Sequence, residues 1–274
     1  MLRFLGRRSA FHEEQNNAFF IDGDRLVLID CAMDGFHKIR RAGLQRMAEV
    51  YRNETAGETG AGTGEPKETG AGTEGAEASL PTIREIVVLV THTHGDHIGG
   101  IPMLIHYAHY ILKVGVTVIV PSEEIRKDME YVFFRLDGCA PEAYTMLTVE
   151  EAKAGEKFPW LTGAILTEHV PELAGRCFGY RLTLGGKNVL YTGDTCTLEP
   201  FLPYVTEGTV LYTEVTAFDT PVHLYVGRLL EYLPTLQERH TEVYLMHLDD
   251  EEAILEKTRN TGFLPAPLAA IARA

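Results

Sequence analysis

Three histidines and an aspartate lie within six consecutive residues of the stretch THTHGDHIGG, residues 91–100. In chain order they are His92, His94, Asp96 and His97. They follow the apolar run IVVLV at 86–90, and burying them in a turn without partners would cost several kcal/mol. A divalent cation removes that cost by binding neutral imidazole nitrogens and a carboxylate oxygen. The pattern therefore predicts a metal site, in which Gly95 lets the backbone turn sharply between ligands.

The order His-x-His-x-Asp-His after a strand resembles the signature of the metallo-β-lactamase superfamily. The resemblance extends over nearly the whole chain and implies an α/β fold, the αββα four-layer sandwich, with residues 1–274 forming one domain. It also implies a dinuclear metal site at one sheet edge, with further ligands at downstream strand ends. The sequence supplies candidates at such places: His169, Asp194 and His247.

The resemblance implies two ligand sets and a bridge: His92, His94 and His169 for one ion, Asp96, His97 and His247 for the other, and Asp194 between them. A His-rich site of this kind suits Zn²⁺, although Mn²⁺ and Fe²⁺ are also tolerated. Two such ions lower the pKa of a shared water and polarise the bond under attack, which predicts hydrolysis by metal hydroxide. The sequence has no GxSxG motif that would indicate a covalent serine nucleophile.

Members of the superfamily cleave lactams, lactones, thioesters and phosphodiesters, and three features favour phosphodiesters. The segments 4–11, 16–21 and 28–32 are similar to the start of ribonuclease Z-type enzymes and related phosphodiesterases. Asp96, expected to act in catalysis as well as in metal binding, is typical of the phosphodiesterase, lactonase and glyoxalase II branches. The segment 212–233 resembles a region in which ribonuclease Z-like enzymes carry a glutamate followed by a general-acid histidine.

Carried over to this chain, that last feature implies that Glu214 orients His223 and that His223 protonates the leaving oxygen. The local sequence departs from the usual His-Glu-Ala-Thr, because Thr213 precedes Glu214. Arg7 and Arg8 stand in the glycine loop where small residues are usual. They are candidates for a bidentate phosphate clamp, and surface charge is the alternative.

A small phosphodiester is the expected substrate, with 3′,5′-cyclic nucleotides as the leading candidate. Only 24 residues separate His169 from Asp194, which leaves no room for the long arm that grips tRNA in ribonuclease Z. The chain is therefore more similar to armless relatives that hydrolyse cyclic mononucleotides, including the anti-Pycsar type. Alternatives are a lactonase or thioesterase, a ribonuclease Z-like RNA-processing nuclease, and a metal-stabilised binding module without activity.

The elements that would position these residues alternate between strand and helix after an initial run of strands. Strands are predicted at 2–5, 18–21, 25–30, 86–90, 116–120, 163–170, 209–215 and 242–248, with a hairpin over 178–193 that turns at Gly185-Gly186. Helices are predicted at 35–51, from the His/Asp cluster to about 113, from an N-cap at Ser122, at 222–236 and at 249–259. The repetitive segment 53–79 carries six glutamates and one lysine and predicts a disordered acidic loop.

Charge and composition restrict the partners and the compartment. The net charge of −14 makes long nucleic acid an unlikely partner, because a polyanionic surface repels a phosphate backbone. Four widely spaced cysteines predict a reduced, cytoplasmic protein without disulfides. The N-terminus does not have the pattern of a signal peptide, and no apolar run reaches membrane-spanning length. The resemblance also implies a possible homodimer.

Overall fold

The structure is a computed structural model that describes residues 1–56 and 82–273. The first sheet has six strands in chain order: β1 Arg3–Gly6, β2 Asn17–Asp22, β3 Arg25–Ile29, β4 Glu85–Leu89, β5 Gly115–Val120 and β6 Thr145–Thr148. The second has the order β12-β11-β10-β9-β8-β7: β7 Leu161–Leu166, β8 Phe178–Leu184, β9 Lys187–Tyr191, β10 Val210–Glu214, β11 Glu242–Met246 and β12 Leu264–Pro265. From β3 to β6 and from β9 to β12 the paired strands are parallel, and the remaining pairs are antiparallel.

Helices cover the outer faces of both sheets. Those in the described residues are α1 Met33–Ala42, α2 Leu44–Thr55, α3 Gly95–Ile98, α4 Ile101–Tyr107, α5 Glu123–Glu130, α6 Val149–Ala154, α7 Val226–Glu231, α8 Leu233–Glu238 and α9 Glu251–Thr258. Single π-helical segments, Ala108–Leu112 and Tyr131–Leu136, extend α4 and α5. None of the helices in the described part of the chain is long and apolar enough to cross a membrane.

Three apolar clusters fill the spaces between the four layers. Along β4, Ile86 and Val88 face α1, α2 and α4, whereas Val87 and Leu89 face the second sheet. This alternation follows from the two-residue period of a strand. Because both faces of β4 are covered, its consecutive residues from Ile86 to Leu89 are all apolar. A third cluster lies between the second sheet and helices α7 to α9. The predicted αββα sandwich is confirmed.

Several predicted boundaries are wrong, for local reasons. The predicted helix 35–51 is two helices, because Gly43 has φ 79° and ψ 151° and interrupts the helical turn. The strand predicted at 163–170 ends at Leu166, and the helix predicted at 222–236 is replaced by α7 and α8. The strand β6, the helix α6 and the edge strand β12 were not predicted, although Thr148 and Glu151 form a capping box at the start of α6.

Other predictions hold. Ser122 caps α5 by accepting a hydrogen bond from Ile125 N, and the β8–β9 hairpin turns at Gly185-Gly186. All four cysteines are free. The acidic loop predicted at 53–79 lies outside the described residues from 57 onwards, and its first three residues belong to α2. The single domain over 1–274 stays a prediction.

The close contact at the start of α4 depends on Gly100. A Cβ at this position would lie 2.3 Å from Ala32 O and 2.9 Å from Cys31 O, both backbone atoms. We expect Gly100→Ala to lower the free energy of unfolding by about 1–3 kcal/mol, the usual cost of overpacking. Denaturant unfolding would measure the change.

Gly115→Ala is the matched control, because a Cβ at Gly115 meets no atom within 4 Å. Its free energy of unfolding should stay within about 1 kcal/mol of the parent value. Equal unfolding midpoints for the two variants would contradict the assignment of a tight contact to Gly100.

Candidate active site

The carboxyl ends of parallel strands from both sheets meet at one edge of the sandwich. In the first sheet, β3 is followed by Asp30, and β4 is followed by the segment 91–97. In the second sheet, β7 and β9 both run parallel to β10 and β11, so their carboxyl ends lie on the same side. At or just after the carboxyl ends of β7, β9, β10 and β11 lie His169, Asp194, Glu214 and His247, in that order.

One group of possible metal ligands consists of His92, His94, His169 and Asp194, whose ligand atoms all lie within 4.8 Å of one another. His92 Nε2 and His169 Nε2 lie 3.0 and 3.3 Å from His94 Nδ1. The same two Nε2 atoms lie 3.8 and 3.6 Å from Asp194 Oδ2. Three imidazole nitrogens and one carboxylate oxygen thus converge, which is a donor set typical of zinc.

A second group consists of Asp96, His97 and His247. Asp96 Oδ2 lies 3.2 Å from His247 Nε2 and 3.3 Å from His97 Nε2. Asp194 lies between the two groups: its Oδ1 is 3.4 Å from His97 Nε2, and its Oδ2 is 3.7 Å from His247 Nε2. All seven residues proposed as ligands from the sequence are therefore brought together.

Asp30 and Thr91 support this arrangement, although neither was predicted as a site residue. Asp30 is fully buried and accepts hydrogen bonds from Thr91 N, Thr91 Oγ1 and His97 Nδ1 at 2.8, 2.7 and 2.8 Å. Thr91 Oγ1 also lies 3.0 Å from His92 Nδ1. The available signal was an acidic residue at the end of a strand that neighbours the histidine-bearing strand. Such partners fix the ring orientation of histidine ligands.

Burial and the carboxylates act in opposite directions on the histidines. Burial, together with neighbouring histidines, lowers the pKa of His92 well below its usual value. Burial also opposes a charge on His97, but Asp194 and Asp30 outweigh it and raise the pKa of His97 well above its usual value. The difference arises because the carboxylates of Asp30 and Asp194 lie 2.8 and 3.4 Å from the ring nitrogens of His97, closer than any carboxylate of the described residues lies to His92. The buried carboxylates thus require positive charge nearby.

The geometry of His97 fits a bound cation. Its Nδ1 donates to Asp30, which leaves Nε2 as an acceptor in the neutral ring. That Nε2 atom is buried, has no hydrogen-bond partner, and faces the carboxylate oxygens of Asp96 and Asp194. Acceptors that face one another in a buried space repel unless a proton or a metal cation lies between them. The donor set therefore fits divalent metal ions.

Glu214 and His223 form a hydrogen-bonded pair beside the two groups. His223 Nδ1 lies 2.7 Å from Glu214 Oε2, and Glu214 is fully buried and also accepts from Thr195 N at 2.5 Å. Burial lowers the pKa of His223, but the charge of Glu214 and its hydrogen bond raise it to about 9. His223 Nδ1 lies 4.0 Å from Asp194 Oδ2. The pair thus places an imidazole of raised pKa beside His169 and Asp194, and these four residues form a third group of possible metal ligands.

The structure does not bring the guanidinium groups of Arg7 and Arg8 to this cluster. Arg7 donates to Glu251 at 2.5 and 3.2 Å and to Ala266 O at 2.8 Å. Arg8 donates to Asp249 O at 2.9 Å and forms an ion pair with Glu251 at 3.7 Å. These contacts hold the segment after β1 against the start of α9. A role for the two arginines in phosphate binding stays a prediction, and their observed partners favour an anchoring role.

Comparison with solved structures shows the fold. The chain superposes on the metallo-beta-lactamase fold protein YhfI from Bacillus subtilis with a TM-score of 0.62 and 16% identity, covering 98% of this chain and 96% of that one. It superposes on a diphosphatase of the PhnP family with a TM-score of 0.61 and 14% identity, covering 98% and 95%. The metallo-β-lactamase fold expected from the sequence is therefore confirmed.

Comparison with protein families gives a narrower assignment. The profile of the family described as Anti-Pycsar protein Apyc1 matches residues 74–266, which is more than half of the chain. The Anti-Pycsar protein Apyc1 of Bacillus phage BSP38 is 25% identical over 202 residues, which cover 68% of this chain and 78% of the phage protein. The matched region contains all seven possible metal ligands and the Glu214–His223 pair. On these grounds the chain belongs to the Anti-Pycsar protein Apyc1 family.

Proposed function

We propose that this protein is a metal-dependent phosphodiesterase that hydrolyses small phosphodiesters, with 3′,5′-cyclic nucleotides as substrates. The observation that carries the proposal is the Glu214–His223 pair, which places an imidazole hydrogen-bonded to a buried carboxylate beside the possible metal ligands. Attack of water on a phosphodiester expels an alkoxide, which needs a proton. A thioester expels a thiolate, which leaves without a proton, so thioester hydrolysis would not need an acid at this place.

The ligand sets proposed are those implied by the superfamily resemblance, with Zn²⁺ as the metal: His92, His94 and His169 for one ion, Asp96, His97 and His247 for the other, and Asp194 shared. Support comes from the convergence of these ligand atoms and from the acceptor atom of His97 that faces two carboxylates. Bound divalent ions would lower the pKa of a water molecule and neutralise charge on the phosphoryl oxygens.

The side chains of this chain then supply position and a proton. Glu214 accepts a hydrogen bond from His223 Nδ1 and thereby leaves Nε2 available to the substrate. As the bond between phosphorus and the ribose oxygen breaks and the bond to the water oxygen forms, His223 Nε2 gives its proton to the departing oxygen. Asp30 keeps His97 oriented throughout, because it accepts from both His97 and Thr91.

Processing of long RNA is not favoured by the segment between His169 and Asp194. The strands β8 and β9 and their tight turn occupy most of it, so it carries no projecting arm. The net charge of −14 also opposes a long polyanion. A small substrate carries a single phosphodiester, whose charge the metal ions can offset locally. We also propose a cytoplasmic location for the protein, because its four cysteines are unpaired.

We propose a homodimer formed through the ends of α4 and α5, in which a second copy of the chain covers an apolar patch. This patch consists of exposed large apolar side chains: Met103, Tyr110, Ile111, Tyr131, Phe134 and Leu136. The two helix ends are adjacent, since His106 Nε2 lies 3.2 Å from Asp137 O. Several exposed large apolar side chains on adjacent helix ends are typical of an interface between protein chains.

The first prediction for this site concerns metal binding. Asp30→Asn should weaken zinc affinity about 10–100-fold, because His97 loses the carboxylate that orients its ring. Competition with a chromogenic chelator measures the change. Asp128→Asn is the control, since Asp128 pairs with Arg176 on the surface at 3.1 Å and should leave affinity unchanged. Equal affinities in parent and Asp30→Asn would argue against the supporting role of Asp30.

A second prediction concerns the reaction class. Zinc- or manganese-loaded protein should hydrolyse bis(p-nitrophenyl) phosphate, cyclic AMP and cyclic GMP, and Asp194→Ala should abolish all three activities. His223→Ala should lower turnover of the cyclic nucleotides about 10²–10⁴-fold, the range for loss of a general acid. It should affect bis(p-nitrophenyl) phosphate much less, because p-nitrophenolate leaves without a proton.

His240→Ala serves as the matched control, since His240 is exposed and pairs with Glu207 at 2.6 Å. A neutral lactone and a thioester belong in the same assay. Turnover of either of these with inert phosphodiesters would reject the proposed function.

A third prediction concerns the patch. Light scattering should give the mass of a dimer for the parent chain and that of a monomer for the double variant Ile111→Lys and Phe134→Lys, because two buried charges per subunit would oppose association. Leu264→Lys changes an exposed apolar residue of β12 and should leave the dimer intact. A monomeric parent chain would exclude the proposed interface.

A further inference from the structure

Two phenylalanine side chains are exposed at the same cavity beside the site. Phe11 is 99% exposed and Phe218 is 62% exposed. Both line a cavity of about 300 Å³ that is also lined by Glu214, His223 and His247. A single exposed apolar side chain is ordinary, but two that share a cavity with a candidate general acid indicate a binding surface for an apolar group.

The segment that carries Phe11 is fixed by hydrogen bonds on both sides. Ser9 N donates to Leu248 O at 3.0 Å, and His12 N donates to Ser9 O at 3.2 Å. Gln15 Nε2 donates to Ala10 O at 2.8 Å. The contacts of Arg7 and Arg8 with Glu251 hold the start of the same segment. Phe11 is therefore presented to solvent by an anchored turn.

The segment that carries Phe218 is anchored in a similar way by Asp249. The Asp249 carboxylate accepts from Thr216 Oγ1 at 2.5 Å and from Ala217 N at 2.9 Å. Phe218 N donates to Thr216 Oγ1 at 3.2 Å, and Lys257 Nζ donates to Ala217 O at 3.3 Å. Because both aromatic side chains stand on fixed turns, little backbone ordering would oppose their contact with a ligand.

The lining of this cavity does not suit a phosphate group. None of the described residues that line it is a lysine or an arginine, His223 is already paired with Glu214, and Asp249 contributes negative charge. The phosphate of a substrate would instead lie at the metal ligands. The cavity is then left for the part of the substrate that carries no charge.

The position of His223 indicates which uncharged part of the substrate occupies the cavity. In the proposed reaction His223 protonates an oxygen of the ribose, so the ribose lies beside this ring. The base attached to that ribose can then extend into the adjacent cavity, which is lined by Phe11 and Phe218. We infer that Phe11 and Phe218 form the nucleobase-binding surface of the site and that at least one of them stacks on the base. This inference rests on the proposed function.

A binding experiment tests the inference without turnover. Adenosine 5′-monophosphate and ribose 5-phosphate, which differ only in the base, are titrated calorimetrically into zinc-loaded protein. The parent chain should bind the nucleotide more tightly than the sugar phosphate. Phe11→Ala and Phe218→Ala together should weaken nucleotide binding about 5–150-fold, the range measured for stacking on one aromatic side chain, and leave ribose 5-phosphate binding unchanged.

Further variants separate stacking from other roles. Phe218→Tyr should retain nucleotide affinity. Phe218→Leu, which keeps an apolar side chain without a ring, should lose most of the affinity that stacking on Phe218 adds. Leu264→Ala is the control, because Leu264 is 53% exposed on the edge strand β12 and does not line the cavity. In kinetics, the double alanine variant should raise KM for cyclic AMP more than it lowers kcat, because the two side chains contact the base and not the reacting phosphate.

The outcomes distinguish the two proposals. Parent protein that hydrolyses phosphodiesters but binds both ligands equally would overturn the base-binding surface and leave the proposed function standing. Protein inert towards all phosphodiesters would overturn the proposed function itself. If the phenylalanine variants change only the oligomeric mass, a second copy of the chain covers the cavity and the inference is wrong.

Discussion

The arrangement of the whole site depends on the contacts of one buried carboxylate. Asp194 Oδ1 lies 3.4 Å from His97 Nε2. Asp194 Oδ2 lies 3.8, 3.6 and 3.7 Å from the Nε2 atoms of His92, His169 and His247. Two of these histidines follow a strand of the first sheet and two follow strands of the second. A charge so deeply buried is tolerated only with cationic partners. The requirement to surround Asp194 therefore links the ends of both sheets.

The sandwich meets this requirement by strand direction rather than by long loops. The strands β3, β4, β7, β9, β10 and β11 all end at the same edge, so short connections suffice to bring side chains together. Two of the residues that follow these strands have left-handed backbone conformations, Asp30 with φ 61° and His247 with φ 54°. Such conformations are costly for residues other than glycine and are kept where the surroundings impose them. Here the surroundings are the contacts with His97 and Asp96.

Local sequence patterns predicted most of the fold and the possible ligands, and they failed where tertiary contacts decide. The spacing from His92 to His97 is a local signal, and His169, Asp194 and His247 could be placed at strand ends through a family resemblance. Asp30 was missed because its partner Thr91 lies 61 residues away and becomes its neighbour only through the parallel pairing of β3 with β4. The edge strand β12 has two residues, too few for any periodic pattern.

The arginines show why residue type alone did not predict a role. Arg7 and Arg8 had the chemistry of a phosphate clamp, yet their donors contact the Glu251 carboxylate and the backbone carbonyls of Asp249 and Ala266. A third arginine near the site, Arg228, binds Asp219 and two backbone carbonyls of the adjacent loops. With these guanidinium groups neutralised, the negative charge of a substrate has to be offset by the metal ions. A site of that kind offsets one phosphodiester and offers nothing to the next phosphate along a polymer, which is a physical reason for a preference for small substrates.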